Sequence, residues 1–272
     1  MLITISHKLS LTVGPGIVRS VHHVLLTPQT GMTQAVREWT IDMPGFSDAA
    51  SFVDGFGNRA QLVSQHRPEA ELVVNVTGVV ETTDRNGVVG RVQGEPPAGL
   101  YRRPSPLAKP VGAITLKFRS APKQGQERIA LLHALMDRVT EVVGAASAAQ
   151  TQSQSAEGQS QSQSQSQSPD EVAKPPAADF AHAFIGAAQA LEIPARYVTG
   201  YVAEHGEDAF WHAWVEAWDD GLGWIGFDPM LGYCPTDKHV RVAVGLDAGS
   251  VPPVRSVPVI AAPVVDVSVA GQ

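Results

Sequence analysis

Between residues 71 and 82 the chain reads ELVVNVTGVVET, and Leu72, Val74, Val76 and Val80 fall on one side of a strand, with Gly78 interrupting the row. IVRSVHHVLLT (17–27) and AVREWTIDM (35–43) alternate in the same manner, and DGFGNR (54–59) reads as the turn between two strands. The first hundred or so residues therefore predict an antiparallel β-domain. His22 and His23 fall inside one of its strands, where a hydrogen-bonded or solvent-facing histidine is the expectation.

The period then changes. In QERIALLHALMDRVTEVVG (126–144), Ile129, Leu132, Met136, Val139 and Val143 recur at steps of three and four, the apolar stripe of a helix packed on a core. Residues 150–171, QTQSQSAEGQSQSQSQSQSPDE, hold almost no apolar side chains, so burial has nothing to set against the entropy of ordering, and a flexible loop is predicted. DFAHAFIGAAQALEI (179–193) restores the helical period, with Asp179 as its N-cap, Phe180, Phe184, Ala187, Ala188 and Leu191 as its buried face, and Pro194 as its stop. Short strands follow at ARYVTGYVAE, HAWVEAWDD and GWIGFDPM, joined by Gly- and Asp-rich turns. The fold class is α+β: an N-terminal antiparallel β-domain over 1–110, a core of helices packed on an antiparallel sheet over 111–255 and interrupted by the 150–171 loop, and a Pro/Val-rich tail over 256–272 that adds an edge strand or is partly disordered.

Composition narrows the function classes. The apolar share of 43% is that of an ordinary globular protein, and a net charge of −7 without a basic block argues against a nucleic-acid partner. No apolar run approaches the roughly 20 residues that cross a bilayer, so no membrane partner is expected. The start MLITISHKLSLTVGPG lacks the basic and apolar regions of a secretory signal, which suggests a soluble, cytoplasmic protein. The single cysteine, Cys234, forbids an internal disulfide and any multi-thiolate metal site.

The candidate chemistry lies after residue 174. A helix N-terminus is followed by His212 on one strand and by Asp228 at the end of the next, 16 positions on across a DDGLG turn. Facing side chains on adjacent antiparallel strands meet, and a carboxylate there holds an imidazole in one tautomer. A helix N-terminus lowers the pKa of a thiol. His182, His212 and Asp228 are also zinc-ligand types, but nothing in their spacing selects a metal over a dyad. Trp214 and Trp218 share a strand face and, with Trp211 and Trp224, form either core or a binding wall. His239 and Arg241 alternate on a further strand, for which a solvated edge is the default, and Cys234 reads as a structural thiol.

DFAHAFIGAAQALEIPARYVTGY, HAWVEAWDDGLGWIGFDP and CPTDKHVRVAVG together resemble the transglutaminase-like superfamily, in particular a bacterial branch described as cysteine peptidases. DGFGNR before ELVVNVTGVVET resembles the β-domain that precedes the core in that branch, and YRRPSP resembles the segment linking the two. The resemblance implies a papain-like α+β core; no cofactor and no metal are expected. It also implies a cysteine nucleophile in a Gly-x-Cys-Gln-Asp-Phe-Ala-His motif, assisted by a histidine that maps onto His212 and an aspartate that maps onto Asp228. Here the nucleophile position maps onto Ala177, the next onto Ala178, and the motif glycine onto Pro175. An alanine has nothing to deprotonate, so covalent acyl transfer has no starting group at that position. Ser168 lies too far into the polar tract to replace it. The expectation is an inactive relative with a vestigial His212–Asp228 dyad, whose Trp214, Asp179 and His182 contribute to binding a peptide or protein partner. The alternative is an active cysteine peptidase or transglutaminase acting on amide bonds.

Overall fold

A computed structural model describes residues 1–119, 126–157, 176–203, 209–258 and 264–271. In chain order the strands are β1 (Leu2–Thr12), β2 (Arg19–Val24), β3 (Gln34–Asp42), β4 (Ala50–Val53), β5 (Arg59–His66), β6 (Glu71–Thr82) and β7 (Val88–Gly90). The helices α1 (Gly112–Thr115), α2 (Gln126–Glu157) and α3 (Ala178–Ala190) follow. Then come β8 (Ala195–Ala203), β9 (Ala209–Asp219), β10 (Gly223–Phe227), β11 (His239–Gly245), β12 (Val254–Val257) and β13 (Val264–Gly271).

The strands form three antiparallel sheets, ordered β13-β1-β6-β3, β12-β2-β5-β4 and β11-β8-β9-β10-β7. Strand pairing does not follow chain order. The tail strands β12 and β13 pair with β2 and β1, and β7, from the first third of the chain, borders the sheet of the second half. The tail thus contributes an edge strand to each of two sheets whose other members come from the first 82 residues.

Alternation explains the central strands of the first two sheets, β1 and β6 in one and β2 and β5 in the other. In β6 every second residue, Leu72 through Val80, is buried, as the sequence predicts. Gly78 is part of that row because Trp39, its partner on β3, lies across it, and a Cβ at 78 would collide with the Trp39 ring. His22 is fully buried and bridges two serines, Ser20 Oγ at 2.9 Å and Ser256 Oγ at 2.8 Å, which ties the tail strand β12 to β2.

Two helical expectations need correction. α2 runs on to Glu157, so residues 150–157 of the polar tract continue a helix, and residues 158–171 lie outside the described residues. Ala145, Ala146, Ala148 and Ala149 lead into that segment, and glutamine has good helix propensity, so local preference carries the helix beyond its last apolar contact. α3 begins one residue before Asp179: the N-cap is Ala177, without a side-chain cap, and Asp179 sits in the first turn, where its charge faces the positive end of the helix.

β9 has two different faces. Trp211, Ala213, Val215 and Ala217 point into the main apolar core, which also takes up Ala177, Ala181, Phe184 and Phe227. Phe184 of α3 stacks on Phe227 of β10 at 5.5 Å, which places α3 under this face. The intervening residues His212, Trp214 and Glu216 point the other way and are also buried.

Candidate functional site

The β9–β10 hairpin sets the spacing of the site. Asp219 Oδ1 accepts from the backbone N–H groups of Gly221 and Leu222, each at 2.9 Å, and Gly223 takes a positive φ of 82° to close the turn. The resulting register pairs Phe227 with Val215, and Asp228 follows on the face that His212 occupies.

His212 Nε2 donates to Asp228 Oδ2 at 2.6 Å, and both side chains are almost wholly buried. The predicted pair is therefore formed. Sequence reasoning missed a third member. His239 is not on a solvated edge but buried, and its Nε2 donates to the same Asp228 oxygen at 3.3 Å. The backbone N–H of Thr236 donates to His239 Nδ1, which leaves the ring proton on Nε2. Asp228 Oδ1 accepts from the N–H groups of Met230 and Leu231, so both carboxylate oxygens are engaged. Burial alone would raise the Asp228 pKa, but the hydrogen bonds from His212 and His239 outweigh it and hold the carboxyl below its usual 3.8. Burial lowers the His239 pKa and prevails over the opposing effect of Asp228, so this imidazole favours its neutral form.

Aromatic rings enclose the group. Trp214 stacks on His212 at 6.3 Å and meets His239 edge-on at 5.3 Å, and Phe210 meets His212 edge-on at 5.2 Å. Trp214 is core rather than an open wall, at 2% exposure. Trp218 packs against Trp224 at 5.2 Å, with the Arg91 guanidinium over its ring.

Farther along the same face lies a second polar group that the sequence reading did not anticipate. Arg196 on β8, opposite Glu216 on β9, pairs with it at 2.6 Å and with Glu95 at 2.6 Å. Arg241 is not solvated either: it reaches Glu216 at 2.8 Å and Glu95 at 2.9 Å. The Arg196 guanidinium also lies 3.9 Å from the centre of the Trp224 ring. Burial would raise the Glu216 pKa, but Arg196 and Arg241 together lower it. The available signal was HVRVAVG itself, where the residues between His239 and Arg241 and after them are all apolar or small.

The other sequence candidates are placed elsewhere. His182 Nε2 accepts from the Ala248 N–H at 3.1 Å, and its ring stacks on Tyr197 at 5.3 Å, on the α3 side of the sheet. Ala177 is fully buried at the start of α3, and Asp179 is exposed. Cys234 is half-buried against Gly87, and burial pushes its thiol up to about 11. Ser168 and Pro175 lie outside the described residues. Among the described residues no group of three or more His, Cys, Asp or Glu side chains is placed to hold a metal ion, and no helix is long and apolar enough to cross a membrane.

Comparison with known proteins adds a frame to this geometry. Residues 131–229 match the model of the transglutaminase-like superfamily, and residues 3–81 match that of the bacterial transglutaminase-like N-terminal region. An uncharacterized protein of Mycobacterium leprae is 24% identical over 247 residues, covering 88% of this chain and 86% of that protein. An uncharacterized protein of Mycobacterium tuberculosis is 24% identical over 283 residues, covering 93% and 86%. Among solved structures, a candidate cysteine protease from Cytophaga hutchinsonii superposes with a TM-score of 0.65 at 19% identity, over 99% of this chain and 90% of that one. At that identity the likeness concerns the fold.

Proposed function

Because the chain belongs to the transglutaminase-like superfamily, we propose that it is a member without covalent catalysis, whose core serves to bind or scaffold a peptide or protein partner. One observation carries the reading: the position that the family resemblance assigns to the nucleophile is Ala177, a buried methyl group. Acyl transfer in this family begins with a thiolate, and the single cysteine of the chain, Cys234, is held as a neutral thiol near pH 7 by burial. The Asp228 cluster supports the same reading. Its carboxylate is shared by two imidazoles and two backbone N–H groups, an arrangement that satisfies buried polar atoms without any substrate. The lone cysteine is also compatible with action in the cytoplasm.

The short His212–Asp228 contact is what favours the other reading, an active cysteine peptidase or transglutaminase, since it retains the base and its orienting carboxylate. A paired assay separates the two. The native protein and Ala177→Cys are tested for incorporation of a labelled amine into a glutamine-donor peptide and for hydrolysis of a peptide library. The reading predicts no turnover above background for the native protein. Activity confined to the cysteine variant would mean a cleft one residue from catalysis, and hence a substrate-like ligand for the native chain. Turnover by the native protein would refute the reading.

A further inference from the structure

A cavity of about 580 Å³ opens in the N-terminal half, between β3 on one sheet and β4 and β5 on the other, far in sequence from the Asp228 cluster. That volume suits a small ligand rather than a trapped water. Its aromatic surface is built, not incidental. Trp39 lines the cavity with one side of its ring pinned over Gly78, and its Nε1–H donates to the Leu26 carbonyl at 3.0 Å. Phe46 and Ile41 extend this apolar surface. Polar groups converge on it as well: the buried Gln61 amide pairs with the Thr27 hydroxyl at 3.0 Å, and Ser51 stands at the rim.

Charge selects among ligands. In a chain of net charge −7, no acidic residue lines this cavity, and its one charged lining residue is Arg59. Arg59 forms no ion pair among the described residues. A guanidinium free to form a two-pronged contact matches a carboxylate. Strand geometry disfavours an extended peptide as the occupant. β4 is four residues long, and β3 carries an irregularity between Val36 and Glu38, both features that resist the addition of a further strand.

We propose that this cavity binds a saccharide of one or two rings that bears a carboxylate. The apolar face of the sugar rests on Trp39, its hydroxyls exchange hydrogen bonds with Gln61, Thr27 and Ser51, and its carboxylate pairs with Arg59. The site is independent of the reading given for the core, and its test leaves Ala177 and the Asp228 cluster untouched.

Isothermal titration of the full chain with cellobiouronic acid, with neutral cellobiose and with the blocked peptide acetyl-Ala-Ala-Glu-amide tests it. The acidic disaccharide is expected to bind at least tenfold more tightly than the other two. Arg59→Gln should remove that tenfold advantage over cellobiose. Ser51→Trp, on an exposed edge position, should abolish binding by filling the rim while the melting temperature stays within a few degrees. Absence of binding by either disaccharide at 10 mM (roughly the weakest affinity of interest) would overturn the proposal. Equal binding of the acidic and neutral sugars would remove the role of Arg59 and with it the acidic class. Binding of the peptide as tight as that of the acidic sugar would replace the saccharide with a peptide ligand.

Discussion

One face of β9 carries two buried polar groups four residues apart, and they are built on opposite plans. At His212 a single carboxylate is shared by two imidazoles and two backbone N–H groups, and every contributor falls between residues 212 and 239. At Glu216 two carboxylates and two guanidinium groups balance one another, and the partners come from residues as far apart as Glu95 and Arg241. The first is a local clasp at the end of the β9–β10 hairpin. The second ties the segment leading out of the N-terminal strands to the core sheet. Buried ion pairs of this kind gain little over apolar packing but are costly to break by halves. The difference indicates that neighbouring buried charges on one strand can answer separate structural needs, connection in one case and closure of a hairpin in the other.

The largest effect is expected at the ionic end. Glu216→Leu leaves two buried guanidinium groups to share the single carboxylate of Glu95 and should lower unfolding free energy by about 3–5 kcal/mol, read from urea denaturation. The double variant Arg196→Met/Glu216→Leu should cost less than that single change, since Arg241 and Glu95 remain paired. The boundary between the two ends is more forgiving. Gly200 lies opposite His212, and a Cβ there would collide with the Val240 carbonyl and approach Trp214 Cη2 at 2.8 Å, so Gly200→Ala should cost about 1–3 kcal/mol.

Acid should loosen the cluster around Asp228 first, through His239, and both ends at lower pH. His239 is harder to protonate in the folded state than at its usual 6.5, so an unfolded chain takes up the proton first and stability declines as pH falls below 6.5. Asp228 and Glu216 have folded values below 3.8 and 4.5. Their stabilisation is complete above those values and is lost as pH falls through the lower folded ones. Urea midpoints should therefore fall in two stages, and His239→Gln, which keeps a donor toward Asp228, should weaken the first. His7 contributes to that first stage from another place, since burial brings it down to about 4. The smallest effect is expected at Cys234. Cys234→Ser should change stability by less than about 1 kcal/mol, and the native thiol should react slowly with an alkylating reagent at pH 8 because it ionises near 11.

Much of this architecture was legible because its contacts are local. The His212–Asp228 pair follows from hairpin spacing, and the buried row of β6 follows from alternation. His239 and Arg241 were misread because their burial depends on β11 pairing with β8, a strand 36 or more residues away in sequence. Neither alternation nor composition reports that partnership. Glu95 was invisible for the same reason, as its partners lie 101 and 146 residues on. The extension of α2 into the polar tract was missed by the opposite route: composition argued for a loop, whereas alanine and glutamine propensity continued the helix. The Asp179 cap failed by two residues, a displacement within which helix ends commonly vary.

Whether the Asp228 cluster is kept for structure, as proposed above, or for chemistry can be read from the unfolding free energy of Asp228→Asn. Groups retained for catalysis are commonly held at a cost to stability, so replacing them leaves a protein as stable or more so. Loss of a carboxylate that accepts four hydrogen bonds should instead lower stability by about 2–3 kcal/mol, with the circular dichroism of the fold unchanged. An Asp228→Asn variant as stable as the native protein, or more stable, would contradict the account and return the cluster to the service of a reaction.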